Sequence, residues 1–135
     1  MADQNERPPA LPTDDPSQRL NFEFIEDAAK KCVTAKLTGR VDVFTYLELS
    51  KRLNEQFENR PGLALIVDMS GVSFVASSGW SVMIATRTRL RRVDGRLAFA
   101  GMNEDLHRIY ESMKLPELIP AFASAAEAEK ALTSA

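Results

Sequence analysis

The sequence predicts an α/β fold in which a largely parallel sheet is connected by crossover helices. Two observations carry this. From Val33 onward, apolar residues recurring at period two alternate with segments recurring at helical period, and chains of that kind build βαβ units. The run Leu63 to Val67 is continuously apolar, as in a strand buried on both faces, which a crossover sheet supplies and an exposed hairpin does not. With 135 residues the chain is long enough for one core and too short for two.

The first sixteen residues hold Pro8, Pro9, Pro12 and Pro16 beside Asp3, Glu6, Asp14 and Asp15, with few apolar side chains to anchor them. Residues 1–17 therefore read as a flexible tail and 18–133 as a single domain. Leu20, Phe22 and Phe24 alternate with polar neighbours. Beyond Lys30 and Lys31 the alternation resumes with Val33, Ala35 and Leu37, so two half-buried strands form a hairpin that ends near Gly39 and Arg40.

Thr45 followed three residues later by Glu48 predicts a capping box at a helix start. Tyr46, Leu49, Leu53 and Phe57 then share one face, and Pro61 and Gly62 close the helix. The buried central strand runs from Leu63 to Val67 and ends at Asp68. An apolar link through Val72 and Phe74 leads to Ala76, Ser77, Ser78 and Gly79, which open a second helix with Val82, Met83, Thr86, Leu90 and Val93 on one side. Asp94 and Gly95 form a turn, Leu97 to Ala100 a short strand, and Glu104 to Met113 a third helix with Leu106, Ile109, Tyr110 and Met113 apolar. Pro116 and Pro120 bracket a turn of structure before a helix-prone end, Ser124 to Leu132.

Composition narrows the function. Seventeen basic against nineteen acidic residues give a net charge of -2, which argues against a nucleic-acid partner. No apolar run is long enough for membrane insertion, and the first residues lack the basic start and apolar run of a signal peptide, so the expected location is cytoplasmic. One cysteine, Cys32, and one histidine, His107, are too few for a disulfide or a zinc site; no metal and no cofactor are expected. Glycine is missing two residues before either serine, so the hydrolase elbow does not fit, and no lysine follows Gly79 to make a phosphate loop. An enzyme is not indicated.

The segment Asp68 to Trp80, DMSGVSFVASSGW, is the most informative. Ser77 and Ser78 sit where a helix leaves its first amides unpaired, so a hydroxyl there can serve as a cap, and an added phosphoryl group would meet the positive end of the dipole. Trp80 is either a core plug or an aromatic anchor for a partner. Arg87, Arg89, Arg91, Arg92 and Arg96 crowd ten residues and read as a solvated helix face, some of which could meet an acidic partner.

The order LTGRVDVFT (residues 37–45), an amphipathic helix, LIVDMSGVSFVASSGW (residues 65–80) and GRLAFAGM (residues 95–102) resembles the STAS family, in particular bacterial anti-sigma factor antagonists. The resemblance implies a four- to five-stranded mixed sheet with helices packed mainly on one face. It implies a binding module that engages an anti-sigma factor, itself a GHKL-type serine kinase, is released by phosphorylation, and is restored by a PP2C-type phosphatase. Carried onto this chain, Ser77 matches the phosphoacceptor, with Ser78 the less favoured candidate. Asp42, Ser77, Ser78, Gly79 and Trp80 fall on the implied partner surface. Family members usually carry aspartate before the acceptor, where this chain has Ala76. The alternative from another class is a constitutive STAS subunit docked on a transporter ATPase or other assembly.

Overall fold

The computed structural model describes residues 19–134, so the expected tail at residues 1–17 lies outside the described residues. Strands β1 (Leu20–Asp27) and β2 (Cys32–Val41) form the antiparallel hairpin, registered from Leu20 opposite Gly39 to Asp27 opposite Cys32. Between them a 3-10 turn, Ala28–Lys30, is capped by Asp27, whose Oδ1 accepts from Lys30 N, and Lys31 closes it in the left-handed region. The chain continues through α1 (Tyr46–Phe57), β3 (Ala64–Val75), α2 (Ser77–Arg92), β4 (Arg96–Ala100), α3 (Glu104–Ser112), β5 (Ala121–Phe122) and α4 (Ala125–Thr133). The five strands lie in the order β1-β2-β3-β4-β5, and every pair beyond the hairpin is parallel.

Period two divides the strand residues between two cores. Val33, Ala35, Leu37, Leu65, Val67, Met69 and Phe99 pack with Leu49, Leu53 and Phe57 of α1, Met83 and Leu90 of α2, and Leu106 and Tyr110 of α3. Their sequence neighbours Cys32, Ala64, Ile66, Ala98 and Ala100 meet Ala128 and Leu132 of α4 on the opposite side. The small alanine side chains let this short helix lie close to the sheet. Residues 64–67 are therefore enclosed on both faces, as their unbroken apolar run predicts. At the β1 edge the Arg52 guanidinium lies 4.5 Å over the Phe22 ring and 5.3 Å from that of Phe24, so α1 covers this strand partly with a cation.

Two local expectations are corrected. The central strand does not stop at Asp68 but runs on to Val75, and β2 to Val41, with register shifts between Lys36 and Thr38 and between Gly39 and Arg40. Asp68 is the last residue of β3 paired with β4, so the remainder pairs on one side only, and its buried residues Met69, Val72 and Val75 recur every third residue instead of every second, which hides the strand signal. The capping box does not form: Thr45 makes no cap bond, its Oγ1 instead accepting from Asp42 N at 2.9 Å and donating to Arg40 O at 2.9 Å, while Glu48 lies 3.7 Å from Arg52. Strand β5, only two residues long and behind Pro120, carries too little sequence for periodicity to reveal.

Candidate functional site

Val41 and Val75 are the last paired residues of β2 and β3, and Ala76 N donates to Val41 O at 2.7 Å. This bond sets the start of α2 beside the loop that leads into α1. The loop is held from within: Asp42 O accepts from Thr45 N and Tyr46 N at 3.1 and 3.0 Å, and Asp42 Oδ1 accepts from Phe44 N at 2.9 Å. Asp42 Oδ2 lies 3.5 Å from Arg40 Nε, and that guanidinium stacks 4.7 Å over Phe74.

With its polar groups bonded internally, the loop turns its apolar side chains outward. Val43 is 67% exposed, Phe44 52% and Leu47 69%, with Phe74 at 40% on the neighbouring strand end. Sequence reasoning missed this patch, although three apolar residues lying off the buried face of α1 are visible in VDVFTYL. Exposed large apolar side chains of this kind make the loop and the start of α1 a candidate interaction surface.

Ser77 is exposed and Ser78 half-buried, as the first two residues of α2. Neither is the cap. That position is Ala76, which offers no side-chain acceptor, and the first turn contains no acid. The helix end thus keeps its partial positive charge, and the Ser77 and Ser78 amides have no intrahelical acceptor.

Gly79 and Trp80 do not belong to the surface, which corrects their place among the partner-facing residues. A Cβ on Gly79 would lie 2.5 Å from Val41 Cγ1 and 2.8 Å from Val75 Cγ1, so glycine is what allows α2 to approach the strand ends. Trp80 is 2% exposed because its helix position points back at the sheet. Its ring meets Phe99 edge-on at 6.0 Å, and Phe99 meets Tyr110 at 5.8 Å. Among the described residues its indole N–H has no acceptor, so the side chain serves by volume rather than by hydrogen bonding.

The remaining reactive groups lie apart from this surface. His107 is exposed on α3 with Nδ1 3.7 Å from Glu111. Cys32 is buried under α4, and burial first, then the nearby Glu129 and Asp27, push its thiol up to about 11. Burial also raises the Tyr110 phenol, whose hydroxyl donates to Ile119 O. No three metal-ligating side chains cluster among the described residues, and no helix of these residues is long and apolar enough to cross a membrane.

Comparison with known proteins places this arrangement. An anti-sigma-B factor antagonist of Listeria monocytogenes is 26% identical over 83 residues, covering 62% of this chain and 72% of that protein. The crystal structure of an anti-sigma factor antagonist from Mycobacterium paratuberculosis superposes with a TM-score of 0.78 at 19% identity, over 89% of this chain and 98% of the other. The phosphorylated form of the Bacillus cell fate determinant SpoIIAA superposes with a TM-score of 0.64 at 18% identity, over 83% and 99%. The STAS domain family matches residues 22–128, and with the five-stranded mixed sheet this establishes that the chain belongs to the STAS domain family.

Proposed function

We propose that the chain is a regulatory binding module that antagonises an anti-sigma factor in the cytoplasm, with Ser77 as its phosphoacceptor. The observation that carries this reading is an exposed serine at an unneutralised helix end, beside a loop and first turn of α1 that present Val43, Phe44 and Leu47 to solvent. The names of the relatives support the role.

The physics of the switch follows from this placement. A partner that covers the apolar patch removes it from water, and the exposed Ser77 hydroxyl adds little cost to that contact. In phosphorylation the Ser77 oxygen attacks the γ-phosphorus of ATP, ADP departs, and the hydroxyl proton passes to a base of the kinase. The product carries about -2 charge, which the α2 amides can accommodate within the fold. Against an apolar interface the same charge must be desolvated, and binding is lost. A GHKL-type kinase that is itself the anti-sigma factor and a PP2C-type phosphatase would complete the cycle. Asp42 contributes from inside: its carboxylate shapes the loop that carries Phe44.

The test is incubation with the cognate kinase and ATP. One phosphoryl group is expected on the wild-type chain and none on Ser77→Ala; label retained by that variant, or absent from the wild type, overturns the assignment. In a pull-down, recovery of an ATP-binding cassette protein with Ser77 unmodified would replace the switch by the constitutive-subunit reading.

A further inference from the structure

The five crowded arginines are not one solvated face. Arg89 and Arg92 turn toward α1, where Arg89 Nη1 lies 3.5 Å from Asn54 Oδ1. Arg87 and Arg91, one helical turn apart, instead converge with Arg96 of β4 on a cavity of about 450 Å³. That volume falls within the range of small-molecule sites, about 300–1,000 Å³.

The charge in this cavity is unbalanced. Asp94 also lines it, so three arginines stand against one aspartate among the lining residues. None of the ion pairs found among the described residues includes any of these four side chains. Arg87 is fixed through Nε, which donates to Leu118 O at 3.0 Å, so its two terminal nitrogens remain to bind elsewhere. The helix dipole favours cations in the last turn of α2, yet it does not account for Arg96, which opens a strand. Capping does not account for the cluster either, because Leu90 O accepts from Val93 N and Gly95 N, Arg91 O from Asp94 N, and Val93 O from Gly62 N.

The walls between the charges are apolar, formed by Leu97, Leu118 and Pro120. Guanidinium groups pair with phosphate oxygens in a bidentate manner, and an apolar wall selects for a carbon group beside the anion. We propose that this cavity binds a small phosphomonoester bearing an apolar group. Arg91 lies about 21 Å along the α2 axis from Ser77 at 1.5 Å per residue, so the site is separate from the proposed partner surface.

Titration calorimetry of the full chain tests this with phenyl phosphate, inorganic phosphate and phenol as probes. Phenyl phosphate is expected to bind one to one, more tightly than inorganic phosphate, with affinity falling as salt is added. Loss of two charged contacts in the Arg91→Gln/Arg96→Gln chain is expected to weaken it by about 100-fold, and Arg92→Gln to leave it within about twofold. Circular dichroism and melting of the double variant, whose two arginines are exposed, are expected to match the wild type. No binding by the wild type at about 10 mM, or equal binding by the double variant, overturns the site. Phenol or inorganic phosphate binding as well as phenyl phosphate overturns the ligand class.

Discussion

Four consecutive residues, Ser77, Ser78, Gly79 and Trp80, divide into two halves with opposite environments. The outer pair meets solvent at the start of α2, while the inner pair is wedged against Val41, Val75 and Phe99. A helix advances 100° per residue, so neighbours in sequence need not share a face. A motif can therefore combine a switch with the packing that holds it in place.

Substitution should separate the halves. Trp80→Ala is expected to cost about 3–5 kcal/mol in denaturant unfolding, whereas Trp80→Phe, which discards an N–H that has no acceptor among the described residues, should cost far less. If both cost the same, the indole nitrogen has a role that volume does not explain. Gly79→Val should lower stability by about 1–3 kcal/mol through overpacking against Val41.

The interior also responds to alkali. Above pH 9.0 an unfolded Cys32 thiol releases its proton while the folded one holds it to about 11, so the unfolded state binds fewer protons and stability falls across that window. The raised Tyr110 phenol acts in the same direction. Unfolding midpoints measured from pH 8 upward should decline, and Cys32→Ala should flatten the decline.

The outer half and the apolar side chains beside it should show the smallest effects on stability and the largest on binding. Phe44→Ser with Leu47→Ser is expected to move stability by about 0.5 kcal/mol or less per site while abolishing partner capture. Ser77→Asp should hold or raise stability by up to about 1 kcal/mol, since a carboxylate meets the α2 dipole, and should still lose the partner. A destabilised Ser77→Asp chain would erase the distinction between the halves.

The same distinction explains what could be read from the sequence. Leu63 to Val67, the hairpin alternation and the faces of α1 and α2 were legible because burial repeats with a fixed period. Trp80 was not, because one aromatic in a first helical turn satisfies a core position and a contact position equally. Thr45 illustrates a different limit: its spacing to Glu48 fits a cap, yet its hydroxyl is claimed by Asp42 N and Arg40 O, partners supplied by the loop. The arginine cavity needed the tertiary fold, since it joins the end of α2, the start of β4 and the segment around Leu118.

The extension of β3 past Asp68 gives one strand two degrees of protection. Leu65 to Val67 are held by ladders on both sides, while Gly71 to Val75 pair only with β2. Local opening free energy follows the number of neighbours that must be released, so amide exchange should quicken along the strand toward Ser77. The proposed acceptor thus hangs from the more loosely tethered end of the central strand, where the turn can yield to an enzyme that must grip it without any need for the core to open.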